Sequence, residues 1–193
     1  MNDMINEEVN IQKQTDENGK LLKTVSMKDG IPHGETVIYD ANEKIAYRLN
    51  YKDGILSGIA EFFTDGLPIM ITNFENGKQE GETVFFTNGI KTATAFFKNG
   101  LFNGDFTSFD ANGNITRIAE YVNGKQQGIC QLFYPDGSVA EQSTYKDGLL
   151  DGEVVRCFPN GNVMEISMYS LGKQYGYVDK YDINGNLVSR TEI

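Results

Sequence analysis

An all-β fold is what this 193-residue chain predicts: an elongated single antiparallel sheet, a meander of stacked β-hairpin repeats. Three observations predict it. The pattern aromatic-x-Asp/Asn-Gly-x-x-x-Gly recurs seven times at a spacing of 23 or 24 residues. A second Asn-Gly or Asp-Gly turn falls between successive copies. The segments between turns are rich in β-branched and aromatic residues and too short for an ordinary amphipathic helix. A fixed period of this length is the signature of a repeat array, in which each unit contacts its neighbours.

Taken in order, residues 1–15 read as a polar N-terminal tail or cap and residues 16–193 as an array of about seven hairpins. The first copy, Met27-Lys28-Asp29-Gly30 with Gly34, lacks the aromatic residue. Five full copies follow, with leading aromatics Tyr51, Phe74, Phe97, Tyr121 and Tyr145. The last, Tyr169-Ser170-Leu171-Gly172 with Gly176, has Leu in the Asp/Asn slot; terminal units drift because one side faces solvent. The intervening turns are Asn18-Gly19, Asp65-Gly66, Asn88-Gly89, Asn112-Gly113, Asp136-Gly137, Asn160-Gly161 and Asn184-Gly185, with Asn42-Glu43 lacking glycine. From these turns to the next repeat's first glycine is always 11 residues, whereas the other half-period is 12 or 13, so the variation lives in one kind of loop. Asp-Gly and Asn-Gly reach positive φ cheaply, as a tight antiparallel reversal demands. Each period is therefore one hairpin, giving fourteen or fifteen strands.

Two aromatic slots repeat with the turns. One holds Tyr51, Phe74, Phe97, Tyr121, Tyr145 and Tyr169; the other holds Tyr39, Phe63, Phe86, Phe109, Phe133 and Tyr181, with Cys157 in the sixth copy. Equivalent rings on neighbouring hairpins are expected to pack into two rows that form the core. Phe62, Phe85, Phe96, Phe102 and Phe106 lie outside those rows and crowd the second to fourth repeats. An apolar cluster on an otherwise polar, repetitive surface is a candidate partner-binding site.

Catalytic and cofactor chemistry finds little here, and no cofactor or metal is expected. The single histidine, His33, precedes the second glycine, where other copies carry Ser57, Glu80, Asn103, Gln127, Asp151 and Tyr175; so variable a slot reads as an exposed loop. Asp110-Ala111-Asn112-Gly113-Asn114 and Asp182-Ile183-Asn184-Gly185-Asn186 look like pieces of a calcium loop, but the twelfth places are Tyr121 and Ile193 rather than Glu, and turn chemistry explains them. The glycines precede no helix and no Gly-Lys-Ser/Thr, so they form no phosphate loop. Cys130 and Cys157 differ in strand parity, which places their side chains on opposite faces and argues against a disulfide. The start, Met1 to Glu8, lacks the basic and apolar regions of a signal peptide, and no stretch of 18 apolar residues is present; a cytoplasmic protein is expected.

The motif Tyr-Lys-Asp-Gly-x-Leu-x-Gly-Glu of residues 145–153, with its aromatic and Asn-Gly-Asn partners, resembles the MORN repeats, and more closely a bacterial variant found in antitoxin components of toxin–antitoxin modules. The resemblance covers about nine tenths of the chain and implies one long, curved sheet of hairpins. It departs from the Gly-x-Gly form of the MORN pattern: Thr36, Ala60, Thr83, Phe106, Cys130 and Val154 stand two residues after the second glycine. What the resemblance implies is a non-catalytic protein-binding module, the antitoxin or immunity-type component that neutralises a toxin. A net charge of −10 and a pI of about 4.6 suit a basic partner and oppose nucleic acid and anionic membrane. The alternative is a structural array that serves as spacer or assembly platform. Fourteen or fifteen strands at about 4.8 Å spacing predict a rod roughly 70 Å long. Small-angle scattering checks this, and the profile of a compact sphere of equal mass would contradict it.

Overall fold

The computed structural model describes residues 9–193; residues 1–8, on which the reading of the chain's start rests, lie outside the described residues. The fold class is the expected one: an open antiparallel meander of eighteen strands, with no helix among the described residues. The chain divides into two compact units, the first ending at Ile90 and the second spanning Lys91–Ile193.

In the first unit β1 (Asn10–Thr15) pairs with β2 (Leu21–Lys28), β2 with β3 (Ile31–Tyr39), and β3 with β4 (Ile45–Lys52). Next, β4 pairs with β5 (Ile55–Leu56) and β6 (Gly58–Thr64), β6 with β7 (Leu67–Glu75), and β7 with β8 (Lys78–Gln79) and β9 (Gly81–Thr87). The second unit runs through β10 (Ile90–Lys98), β11 (Leu101–Phe109), β12 (Ile115–Val122), β13 (Lys125–Phe133) and β14 (Val139–Lys146). It ends with β15 (Leu149–Cys157), β16 (Val163–Ser170), β17 (Lys173–Tyr181) and β18 (Leu187–Glu192), each strand paired with the next. Eighteen exceeds the expected count for two reasons. Asn10–Thr15 add a strand before the first full hairpin. Two strands are also split, at Ser57 and Glu80, whose N–H groups bond out of register to Asn50 O and Asn73 O.

Turn chemistry accounts for the period and for its one-residue variation. The Asp/Asn-Gly pairs of the repeat pattern are two-residue reversals with both residues at positive φ, as at Asn76 (φ 50°) and Gly77 (φ 77°). The other turns come in two lengths. Asp65-Gly66 and Asn88-Gly89 are equally tight, and these are the two half-periods of 12 residues. In the longer form, shown by Asp40–Lys44, the Asp40 N–H donates to Lys44 O at 2.8 Å, and Asp40 Oδ1 accepts from the N–H groups of Asn42 (2.8 Å) and Lys44 (2.9 Å). Asp16, Asp110 and Asp182 close their loops in the same way. The segments resembling calcium loops are thus turns whose carboxylates are already engaged.

The second glycine of the repeat pattern is not part of the turn. It lies inside the next strand at a bulge. Phe97 pairs with Phe102 and Ala95 with Phe106, so Asn103, Gly104 and Asp105 face Phe96 alone. At Gly104 φ is 120°, and a Cβ there would meet Phe96 Cβ at 3.1 Å. A side chain is excluded by both backbone and space, and the bulge bends the strand at this point in each repeat.

The aromatic rows are half-buried rather than the core. What is buried is a line of small residues two positions from the anchoring glycine or ring. It comprises Thr36, Ala60, Thr72 and Thr83 in the first unit, and Ala95, Ala119, Cys130, Ser143, Val154, Ser167 and Val178 in the second. The reason is geometric. A single-layer sheet has no second layer to cover a ring, but larger side chains on either side can overtop a small one, and Ala60 and Ala95 are 0% exposed. Leu49, opposite Thr36, and Phe106 are the large members of the line, and the cross-strand partners of Phe106 are both alanines, Ala95 and Ala119. In the first unit the line carries a polar knot: Thr72 Oγ1 and Thr83 Oγ1 lie 2.5 Å apart, and Gln79 Nε2 donates to both. Cys130, buried in the line, and half-buried Cys157 are both free.

Two kinds of measurement check this account. Leu171 occupies the Asp/Asn slot at φ 48° while 67% exposed, so Leu171→Asn should stabilise the protein by about 0.5 to 1 kcal/mol. By contrast, Gly104→Ala should destabilise by about 1 to 3 kcal/mol, both read from urea unfolding. The second measurement is the melting temperature against pH. Hydrogen bonds from the Asn114 and Asn186 side chains hold Asp110 and Asp182 below the usual carboxylate range; the Ser138 hydroxyl does so for Asp136 and Arg190 for Asp179. Groups with depressed folded-state pKa stabilise above the unfolded value, and that contribution is lost as pH falls through the folded one. Stability should therefore be flat from neutrality to about pH 5 and decline below about pH 4. Asp110→Asn should flatten the acid limb.

Candidate protein-binding face

One face of each unit carries the small-residue line, because directly paired residues in antiparallel strands point the same way. Beside that line runs a second row, one residue per strand, four positions beyond the second glycine or before the aromatic slot. In the first unit this row starts with Lys23 opposite Ile38 and is apolar from there on: Ile38 faces Tyr47, Tyr47 faces Phe62, Phe62 faces Met70, and Met70 faces Phe85. The Tyr47 and Phe62 rings meet edge to face at 5.7 Å, and Tyr47 remains 42% exposed.

In the second unit the residues at the equivalent repeat positions are mostly polar or charged. They are Ala93, Ser108, Arg117, Leu132, Glu141, Arg156, Glu165 and Lys180, each opposite the next. The last four form an alternating ion ladder. Arg156 Nε donates to Glu141 at 2.9 Å and Arg156 Nη1 to Glu165 at 2.7 Å, with Lys180 Nζ 3.7 Å from Glu165. The hydrogen bond to Glu141 is the chief cause that raises the Arg156 pKa. On the opposite face Arg48 bridges Glu35 and Glu61, and Arg190 grips Asp179 through two bonds of 2.6 Å.

Between the ladder and the rings stands Arg117. Phe97, Phe102 and Tyr121 stack successively at 4.5 and 5.3 Å, and Phe106 meets Phe102 and Tyr121 edge-on at 6.5 and 6.2 Å. The Arg117 guanidinium lies over the Phe106 ring, 5.4 Å from its centroid. Its Nη2 donates to Gln126 Oε1 at 2.9 Å and reaches Tyr121 Oη at 3.4 Å, while Nε points to Cys130 Sγ at 3.4 Å.

The five phenylalanines singled out by sequence do not form one patch. Phe62 and Phe85 belong to the apolar row of the first unit, and Phe102 and Phe106 to the four-ring cluster of the second. Phe96 points to the face opposite Phe97 and is 43% exposed. Sequence reasoning also missed Tyr47, Met70 and Arg117; their signal was a constant offset from the repeat glycines, which joins them to Phe62 and Phe85.

His33 corrects another expectation. It is a half-buried residue of β3, with Nδ1 3.1 Å from Asp53 Oδ1, and not an exposed loop position. Other copies of its slot reach the same place one repeat on. Asn103 Oδ1 accepts from the Asn123 N–H, Gln127 Nε2 donates to Asp147 Oδ1, and Asp151 Oδ1 accepts from the Leu171 N–H. The slot varies in residue type because Asn, Gln, Asp and His can all bridge to the next turn. No cluster of three or more His, Cys, Asp or Glu side chains able to hold a metal occurs among the described residues.

Comparison with known proteins follows the same geometry. No curated protein sequence matches the chain. Residues 32–53, 102–123 and 126–147 match the MORN repeat variant, each spanning from just after one tight turn to the first residue of the next. These three segments, about a third of the chain, resemble MORN repeats in sequence, and here they are formed by β3 with β4, β11 with β12, and β13 with β14.

Proposed function

We propose that this chain is a non-catalytic protein-binding module that holds its partner on the face bearing the small-residue line. The observation that carries the reading is the first unit's row of five consecutive apolar side chains, Ile38, Tyr47, Phe62, Met70 and Phe85, on a sheet with no covering layer. An apolar strip of this kind, rimmed by polar side chains, has the make-up of an interface centre. The MORN-type repeats agree with a binding role. The finer role, neutralising a basic toxin in the cytoplasm as an antitoxin does, rests on the resemblance and on the −10 charge, which would speed encounter with a cationic partner.

Affinity capture from the native host with wild-type protein and with Tyr47→Ser/Phe62→Ser tests the reading. A stoichiometric partner should leave the double variant faster, at a cost of at least about 1 to 2 kcal/mol. Rising salt should slow association with wild type and variant alike. Equal retention by a folded variant would remove the apolar row from the interface, and a partner without toxic activity would remove the antitoxin role alone.

A further inference from the structure

We infer that Arg117 and the rings around it form a carboxylate-binding subsite, which takes an acidic side chain or a chain-terminal carboxylate lying next to an apolar group of a protein partner. The inference rests on the protein-binding reading and gives that face a polar recognition point. It starts from an asymmetry among the four arginines. Arg48, Arg156 and Arg190 each hold one or two carboxylates. Arg117, in a chain with ten more acidic than basic residues, holds none among the described residues.

The cause is visible in the register. Along the flanking row, charge alternates from Glu141 through Lys180, and a carboxylate in the strand next to Arg117 would extend that ladder by one rung. Leu132 stands there instead, directly between Arg117 and Glu141, and on the other side Arg117 faces Ser108. Among the described residues its acceptors are all neutral, and none engages Nη1. The neighbourhood is also rich in donors, since Gln126 Nε2, enclosed beside Arg117, has no acceptor among the described residues.

A planar guanidinium lying on an aromatic face is pre-organised for bidentate contact with a carboxylate, and Phe97, Phe102 and Tyr121 supply apolar surface for the group that carries it. A polyanion fits less well. Glu141 and Glu165 lie along the same row, and the chain's overall charge repels phosphate chains while one carboxylate satisfies one arginine.

The test needs no partner. The full chain is titrated with 3-phenylpropionate, which joins one carboxylate to one ring, while NMR follows the Arg117 Nε–H resonance. Saturable displacement of that resonance is expected, and the uncharged 3-phenylpropionamide should bind about tenfold more weakly or worse. Arg117→Gln should cost at least as much. Leu132→Glu should also abolish most binding, because it places a carboxylate directly opposite Arg117 and completes the ladder from within. Equal binding of acid and amide would overturn the inference, as would undiminished binding by folded Leu132→Glu protein. Inorganic phosphate binding more tightly than 3-phenylpropionate would overturn the carboxylate assignment. Should Arg117→Gln not fold, the acid-to-amide ratio on wild-type protein decides. Because the probe is a small molecule, its failure leaves partner capture and the apolar row untouched.

Discussion

A sheet without a second layer can cover its residues only from the side, and this constraint governs the rest of the structure. Large rings in such a sheet stay half-wet on the open face. Complete burial falls to alanine, serine, threonine, valine and cysteine between taller neighbours, and Thr83 and Ala119 are as enclosed as any residue of a globular core. Stability must then come from many small lateral contacts. The hydrogen bonds show it: the tight-turn glycines Gly54, Gly124, Gly148 and Gly172 donate to Pro32, Phe102, Gln126 and Leu150 carbonyls of the preceding hairpin. Side chains add a second set, such as Tyr134 Oη to Cys157 O at 2.8 Å. Most of these links span about one period, so each hairpin is held by its immediate neighbours, as nearest-neighbour models of repeat proteins assume.

The glycine pair divides the work. The first glycine turns the chain and the second bends the strand, and the three-to-one bulge at the second sets which residues reach the buried line. The same bulge fixes the offset of the flanking row, so a single backbone device positions both the packing residues and the candidate binding residues.

Much of this was legible from the sequence. Period, hairpin count per period, antiparallel order and both turn positions follow from Asp/Asn-Gly spacing, because positive φ is a local demand that few residues meet. The half-period of 12 or 13 residues even located the two-residue and three-residue loops. The core was misread because side-chain size was taken as the sign of burial, a rule suited to two-layer folds. The informative signal was instead the restricted size of the residues at Thr36, Ala60, Thr83, Cys130 and Val154, which had been noticed only as a departure from a glycine pattern. His33 was misread because variability was equated with exposure, whereas the slot conserves a function, reaching the next turn, that several side chains perform. The candidate face was legible only in part: Phe62 and Phe85 stood out as rings, but their alignment with Tyr47, Met70 and Arg117 depends on the bulge, which sequence does not display.

The flanking row has one letter per strand, and each letter sits opposite its neighbours without altering the turns, the bulges or the buried line. The surface of such a scaffold is modular in a strict sense. The row is a string of side chains set about 4.8 Å apart, whose spelling can change one character at a time while the page stays the same. Within the second unit the row runs from Ala93 and Ser108 to the ionic run Glu141 to Lys180, and Leu132 is the character that separates Arg117 from that run.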